Sequence, residues 1–154
     1  MHYDGFAKYW LPVYIYAALI YIFSSMSKPI PVEIPIPSFD KFVHVVEYGL
    51  LALLTARALK SSPKNFSIIT VNVFSMLATT LYGASDEFHQ RFVPGRISSG
   101  WDVLADFVGA VVGVLVYSRY LKKIKKTCLT HKKEENYNDG NKTISRFNLQ
   151  PGHN

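Results

Sequence analysis

Long apolar stretches alternate with short polar ones along most of the chain. Four of these stretches are close to the roughly 20 apolar residues that a helix needs to cross a bilayer. They are Tyr9–Ser27, Asp40–Ala58, Asn65–Ser85 and Trp101–Tyr120. The first and third contain no charged residue, and the third can extend through Gln90. The pattern predicts an all-α integral membrane protein that folds as a four-helix bundle.

The first apolar stretch, Tyr9–Ser27, has two interpretations. It follows Lys8, as the apolar region of a signal peptide follows a basic residue, but a clear A-x-A cleavage site is missing. Its length also approaches that of a membrane span. We therefore favour a retained helix, with Pro12 in its first turn, where a missing N–H does least harm.

The segments between the apolar stretches have the composition of loops. Four prolines in PIPVEIPIP (Pro29–Pro37) exclude a helix and favour an extended first loop. The second loop, Lys60–Lys64, is short and polar, and the third, Arg91–Gly100, contains the turn pair Pro94-Gly95. The four predicted helices are therefore joined in sequence, each running opposite to the one before it.

The basic excess of the chain lies at its C-terminal end. Of the 154 residues, 49% are hydrophobic and only 18% are charged. Residues 1–118 contain eight basic and eight acidic side chains, whereas residues 119–154 contain nine and three, which accounts for the whole net charge of +6. A nucleic-acid-binding domain would spread its basic residues over a folded face, so we expect no nucleic-acid partner. The single cysteine, Cys128, excludes an internal disulfide.

The same distribution of charge divides the chain into two parts. Residues 121–154 have no apolar periodicity and are predicted to form a basic, largely disordered cytoplasmic tail. Residues 1–120 are then the transmembrane domain, in contact with membrane lipids. With four spans both termini lie on one side. Close to the spans, that side holds nine lysines and arginines against four on the other side; the nine are Lys8, Arg57, Lys60, Lys64, Arg119, Lys122, Lys123, Lys125 and Lys126. The positive-inside rule places both termini in the cytoplasm of a bacterial cell.

Polar and ionisable residues gather at one end of the predicted bundle. They occupy the N-terminal end of the second helix, the C-terminal end of the third, the loop that follows it and the N-terminal end of the fourth. They are Asp40, Lys41, His44, Glu47, Tyr48, Asp86, Glu87, His89, Gln90, Arg91, Arg96, Asp102 and Asp106. With both termini in the cytoplasm, they lie at or just below the outer face. We therefore expect a polar pocket there, between the second, third and fourth helices.

Helical spacing assigns these residues to faces. Asp40, His44 and Glu47 follow i, i+4, i+7 spacing and share one stripe, with Tyr48 beside it. On the third helix Asp86 and Gln90 follow i, i+4 spacing, whereas Glu87 and His89 fall on roughly opposite faces. Asp102 and Asp106 also share a face on the fourth helix, almost in line with Gly109 and Gly113. This GxxxG pattern allows a second helix to approach closely, so the acidic stripe should face the bundle.

The acids at this end outnumber the available cations. An ionised side chain at the bilayer centre costs about 2.5–3.5 kcal/mol even on a mild scale, so these carboxylates need partners. The basic residues in reach are Lys41, Arg91 and Arg96. A guanidinium binds carboxylates through two parallel hydrogen bonds, so Arg96 is the expected centre of the cluster. The remaining acids require protonation, a bound cation or water.

The motifs at this end resemble those of a known family. They are Asp40-Lys41-x-x-His44, Tyr48, Asp86-Glu87-x-x-Gln90-x-Phe92-Val93-Pro94-Gly95-Arg96 and Asp102-x-x-x-Asp106-x-x-Gly109-x-x-x-Gly113. Over about residues 9–120 the chain resembles the VanZ-like family of small bacterial membrane proteins. The resemblance implies a cell-envelope protein and a link to low-level resistance to teicoplanin, a lipoglycopeptide. It implies no particular reaction.

Three functions fit these residues. The first is binding of a lipid headgroup, a lipid-linked wall precursor or a lipoglycopeptide in the outer pocket, with Arg96 and Lys41 contacting anionic groups. The second is an intramembrane hydrolase or transferase that uses His44 and the acids, with Glu87 or Asp86 as general base. The third is an oligomeric transporter in which Glu47 and Asp106 carry protons.

A metal site is the less favoured interpretation of the histidine on the second helix. His44 and Glu47 form an H-x-x-E step that offers two metal ligands on one face. Intramembrane polar groups pair by default, so the sequence favours a hydrogen bond that ties two helices together. We therefore predict neither a metal nor another cofactor. Ser85, Ser98 and Ser99 lie near the cluster, but none stands in a nucleophile motif such as G-x-S-x-G.

Overall fold

The computed structural model describes the backbone of residues 3–27, 39–96 and 98–147, and side chains for residues 6–27, 39–96 and 98–132. Its elements are four helices: α1 (Tyr3–Ser24), α2 (Phe39–Lys60), α3 (Ile68–Gln90) and α4 (Gly100–Phe147). All four are long and apolar enough to cross a membrane, and the described residues contain no strand. The prediction of an all-α, four-helix membrane protein is confirmed. The proline-rich first loop lies outside the described residues.

Helix α1 begins earlier than the sequence predicted. It starts at Tyr3 and not at Tyr9, so Pro12 lies inside the helix and not in its first turn. The prediction for Pro12 is therefore wrong. An interior proline leaves one backbone carbonyl without its helical partner, but membrane helices tolerate this where neighbouring groups or local adjustments satisfy the carbonyl.

Helices α1, α2 and α3 share an apolar core. Its buried members are Val13, Ile20, Tyr48, Leu51 and Ala58, with half-buried aromatic residues packed against them. Tyr82 on α3 ties this core together, because its hydroxyl donates a 2.7 Å hydrogen bond to the Ala17 carbonyl on α1. The same helices expose large apolar side chains on their outer surfaces, among them Leu19, Phe74 and Leu81. A surface of this kind suits contact with lipid.

Helix α4 packs against α2 through glycine. A Cβ atom added at Gly109 would collide with the Val45 carbonyl oxygen, and one added at Gly113 would collide with the Gly49 carbonyl oxygen. Helix α4 is joined to α3 by a pair of hydrogen bonds between Asn72 and Ser118, of 2.9 and 3.1 Å. These contacts place the N-terminal half of α4 beside both neighbours.

The chain divides into two compact units, Met1–Ser118 and Arg119–Asn154. In the second unit α4 continues as a helix to Phe147, which differs from the predicted disorder of residues 121–154 over most of that range. The prediction of disorder rests on the missing apolar face of this segment. Its lysines, glutamates and leucines are good helix formers, so the segment is helical without such a face. The side chains of residues 122–132 are all exposed, so this helical segment has no apolar face in a core.

Candidate functional site

The candidate site lies where the C-terminal ends of α1 and α3 meet the N-terminal ends of α2 and α4. Five polar side chains from α3 and α4 are buried there, although all are of types that normally stay in water. They are Asp86, Glu87, Gln90, Asp102 and Asp106. His44 of α2 lies among them with only 14% of its side chain exposed. The structure thus brings together residues that the sequence places on three different helices.

His44 is held between α4 and α3. Its Nδ1 lies 2.9 Å from Oδ1 of Asp106, which is fully buried. Its Nε2 lies 4.0 Å from Oε1 of Glu87, too far for a hydrogen bond. Asp106 therefore orients the imidazole ring, and the second ring nitrogen points at a carboxylate that it does not contact. The sequence grouped His44 with Glu47, which is half-buried and has no part in the described hydrogen bonds of this cluster.

Glu87 is positioned by the start of α4. Its Oε2 accepts a 3.0 Å hydrogen bond from the backbone N–H of Ser99, and the Ser99 hydroxyl accepts a 3.2 Å bond from the N–H of Trp101. Ser99 therefore caps α4, and Glu87 sits at the positive end of that helix, where a carboxylate is stabilised. The spacing of acids and glycines does not reveal this role of Ser99. An S-x-x-D pattern, Ser99 to Asp102, before an apolar run was the signal.

Asp86 belongs to a separate group of hydrogen bonds. Its Oδ2 accepts a 3.1 Å bond from the Tyr48 hydroxyl and a 3.0 Å bond from the Gln90 amide. Tyr48 is completely buried. Its hydrogen bond to Asp86 links the middle of α2 to the C-terminal end of α3. These three residues form one hydrogen-bonded group, and Asp86 is the residue next to Glu87 in the sequence.

Lys41 is the lysine that contacts a buried acid in the described part of the chain. Its Nζ lies 3.0 Å from Oδ2 of Asp40 and 3.5 Å from Oδ1 of Asp102. The side chains of Asp40 and Lys41 are 60% and 39% exposed, whereas that of Asp102 is 8% exposed. The pair therefore stands at the mouth of the site, and Lys41 reaches inward to one buried carboxylate.

Arg96 and His89 face α1 and not the carboxylates. Arg96 donates from Nη2 to the Phe23 carbonyl at 2.7 Å and from Nε to the Met26 carbonyl at 3.1 Å. His89 lies 3.1 Å from the Ser25 hydroxyl. Among the described residues, the ion-pair partners of the carboxylates are Lys41 and His44, so the predicted central role of Arg96 in the acidic cluster is wrong. The carbonyls at the end of a helix are strong acceptors with partial negative charge, and they compete for the guanidinium.

Gly83 makes room for the cluster. A Cβ atom added there would collide with Oδ2 of Asp106, so any other residue would displace the carboxylate that orients His44. Sequence spacing did not reveal this residue, because its role depends on how α3 and α4 are rotated about their axes. Its position four residues before Glu87 on the same face was the available signal.

Every buried carboxylate in the site has one buried oxygen that accepts no hydrogen bond from the described residues, although that of Asp102 forms the ion pair with Lys41. These atoms are Oδ1 of Asp86, Oε1 of Glu87, Oδ1 of Asp102 and Oδ2 of Asp106. Buried polar atoms are normally paired, so four such oxygens in one cluster are unusual. His44, Glu87 and Asp102 each offer a ligand atom, and the three atoms lie within 4.8 Å of one another. The site can therefore receive a cation or a hydrogen-bond donor.

The fold and the site together define a small multi-pass membrane protein with an acidic, histidine-containing cluster buried at one end of its helices. The family model described as VanZ/LLP1 matches residues 6–123, and the chain belongs to this family. No curated protein matches the chain, and no solved structure matches it.

Proposed function

We propose that this VanZ-family protein binds the polar part of an envelope molecule in the buried cluster, at the outer leaflet of a bacterial cytoplasmic membrane. The candidate ligands are a lipid headgroup, a lipid-linked wall precursor and a lipoglycopeptide such as teicoplanin. The outward orientation rests on the distribution of lysine and arginine along the sequence. The teicoplanin phenotype rests on the resemblance to the family.

The observation that carries the proposal is the set of unpaired carboxylate oxygens. A cluster that only joined helices would gain most by pairing each of its oxygens, since an unpaired buried acceptor costs about 1–3 kcal/mol. Here Asp86, Glu87, Asp102 and Asp106 each keep one buried oxygen that accepts no hydrogen bond in the described part of the chain, and among these only Oδ1 of Asp102 lies near a lysine, 3.5 Å from Nζ of Lys41. Ionisable groups at membrane depth are costly and usually mark function.

The mouth of the site supplies a second argument for ligand binding. The side chain of Lys41 is partly exposed and already spans from Asp40 to the buried Asp102. An anionic headgroup that enters from the membrane surface would meet this ammonium first. Arg96, fixed at the end of α1, provides a further positive charge beside the entrance.

Drug susceptibility in a sensitive bacterial host tests the proposal. The set is empty vector, wild type, Glu87→Gln and Arg96→Ala, with membrane levels equalised by immunoblot. Asn72→Ala is the matched control, because it removes an interhelical hydrogen bond away from the buried carboxylates. We expect wild type and the control to raise teicoplanin resistance more than vancomycin resistance, and Glu87→Gln to lose this effect. Equal resistance in Glu87→Gln and wild type would refute the role of the cluster.

A second candidate function, a hydrolase or transferase acting on a lipid or lipid-linked substrate, draws on the His44–Asp106 pair. A carboxylate that fixes Nδ1 of a histidine leaves Nε2 available to accept a proton, as general-base catalysis requires. Mass spectrometry of membrane lipids from cells that express wild type or His44→Gln tests this function. A product that wild type forms and His44→Gln does not form supports an enzyme, and identical lipid profiles oppose it.

A further inference from the structure

We propose that His44, Glu87 and Asp102 bind one divalent transition-metal ion, with Asp106 as the residue that orients His44. This inference rests on the proposed function, because the metal ion would be bound in the same cluster. The three residues come from α2, α3 and α4, and their ligand atoms lie within 4.8 Å of one another. No pair of them is close in the sequence, so the site exists only in the folded protein.

The distance between His44 and Glu87 suits two ligands of one ion. Their Nε2 and Oε1 atoms are 4.0 Å apart, beyond hydrogen-bond range. Metal bonds of 2.0–2.2 Å place the ligands of a tetrahedral ion about 3.3–3.6 Å apart. A closure of about 0.4–0.7 Å would bring this pair to that spacing, and Asp102, whose ligand atom lies within 4.8 Å of the other two, would move inward with them. A direct hydrogen bond, at about 2.7–3.2 Å, would need roughly twice that closure.

Asp106 gives His44 the tautomer that a metal ligand needs. With Nδ1–H donating to Oδ1 of Asp106 at 2.9 Å, the lone pair is on Nε2, the atom that faces Glu87. Histidines that bind metals usually donate their other ring N–H to a carboxylate or carbonyl in this way. Asp106 is fully buried, and Gly83 leaves room for it, so the ring orientation is set by packing.

Both carboxylate ligands have an oxygen available. Glu87 uses Oε2 to accept the Ser99 N–H and leaves Oε1 without a hydrogen bond. Oδ1 of Asp102 accepts no hydrogen bond but forms a 3.5 Å ion pair with Nζ of Lys41, which the metal ion would replace. Both side chains are more than nine-tenths buried. Two carboxylates neutralise the charge of a divalent ion, which lowers the cost of burying all three groups.

The donor atoms select the class of metal. One imidazole nitrogen with carboxylate oxygens and no thiolate fits Zn²⁺ or Mn²⁺, whereas Ca²⁺ takes six to eight oxygen ligands. Three protein ligands leave at least one coordination position for water or a substrate atom, as in catalytic zinc sites. The metal would then explain how an acidic pocket receives an anionic headgroup, since a phosphate or carboxylate oxygen of the ligand would occupy that position.

Metal analysis of the purified, detergent-solubilised full chain tests the proposal. After removal of loosely bound ions, metal content is measured by elemental analysis, and affinity by titration with Zn²⁺, Mn²⁺ and Mg²⁺. The variants are His44→Gln, Glu87→Gln, Asp102→Asn and Asp106→Asn, each checked for folding by circular dichroism and gel filtration. Asn72→Ala is the control, because it removes an interhelical hydrogen bond to Ser118 and lies outside the donor set.

We expect about one Zn²⁺ or Mn²⁺ per chain in wild type and Asn72→Ala. Asp106→Asn should lower the affinity about 10–100-fold, and the three ligand variants should lower it further. A folded wild type that binds neither ion overturns the proposal, as does equal binding by His44→Gln and wild type. Metal binding without any effect on teicoplanin susceptibility refutes the drug phenotype alone. A susceptibility that depends on Glu87 in a metal-free protein refutes the metal site alone.

Discussion

At the scale of single residues, the site consists of acids with different partners. Asp86 accepts from Tyr48 and Gln90, Glu87 accepts from the start of α4, and Asp106 holds His44. These assignments make the four buried carboxylates inequivalent, although the sequence presents them as two similar pairs. Replacing one of them should therefore disturb one contact and leave the others in place.

Tyr48→Phe isolates one of these contacts. It removes the hydroxyl that donates to Asp86 and keeps the buried ring. Side-chain hydrogen bonds within membrane proteins average about 0.6 kcal/mol and reach about 1.7 kcal/mol, so we expect a loss of unfolding free energy in this range. Reversible unfolding in mixed detergent micelles measures it. Tyr14→Phe, whose ring is 59% exposed, is the control and should be neutral. A neutral Tyr48→Phe would show that Gln90 alone satisfies Asp86.

At the scale of helices, the close contact of α4 with α2 brings Asp106 and His44 together. The absence of side chains at Gly109 and Gly113 lets α4 approach the backbone of α2 at Val45 and Gly49. This approach brings Asp106, one turn before Gly109, within hydrogen-bond distance of His44, one residue before Val45. The glycines thus position the chemistry without taking part in it.

Gly113→Ala should force the two helices apart. The new Cβ would meet the Gly49 carbonyl, a backbone atom that cannot rotate away, so we expect a destabilisation of about 1–3 kcal/mol. The same unfolding assay measures it. Gly100→Ala is the matched control, because a Cβ at Gly100 meets nothing within 4 Å, and it should be neutral or slightly stabilising. Equal stability of the two variants would contradict the close packing of α4 on α2.

Helix α1 is attached to the site by Arg96. Its guanidinium donates to two carbonyls, of Phe23 and Met26, at the end of that helix. Arg96→Ala should therefore increase amide hydrogen exchange in the last turn of α1, because the freed carbonyls favour fraying. Mass spectrometry of peptides covering this turn measures the exchange. Arg91→Ala, which removes an exposed arginine stacked on Phe88, should leave that turn unchanged. Unchanged exchange in Arg96→Ala would show that the contact is not stabilising.

At the scale of the whole molecule, the apolar surface governs insertion into the membrane, and the distribution of basic residues governs orientation across it. The exposed apolar side chains of all four helices suit insertion into a bilayer. The orientation depends instead on lysine and arginine, which are more numerous on the side of Lys8, Arg57 and the basic C-terminal segment. Insertion and orientation can therefore be tested separately.

The native cysteine reports the orientation. Cys128 is exposed, so it should react with a membrane-impermeant maleimide in inside-out vesicles and not in intact bacterial cells. The complementary probe is Phe92→Cys in a Cys128→Ser background, because Phe92 is 71% exposed in the loop between α3 and α4. We expect this cysteine to react in intact cells. Labelling of Cys128 in intact cells would reverse the orientation and place the candidate site at the cytoplasmic face.

Much of the site could be predicted from the sequence, because the helices alternate in direction. The ends of α2, α3 and α4 that carry acids must then lie together, and Asp86, Glu87, Asp102 and Asp106 do converge. The GxxxG pattern likewise indicated a close helix contact before its partner was known. What could not be predicted was pairing inside the cluster. His44 was grouped with Glu47 by spacing on one helix, whereas the fold places it against Asp106 and Glu87.

The sequence by itself determined the four helices and the end at which their polar residues gather. Both follow from local hydrophobicity and chain direction, which need no knowledge of packing. Only the tertiary structure decided that Arg96 binds the end of α1, that Gly83 accommodates Asp106 and that three ligand atoms from different helices lie together. These outcomes depend on the rotation of each helix about its axis. A rotation of one residue, about 100°, would turn any of these side chains away from its partner.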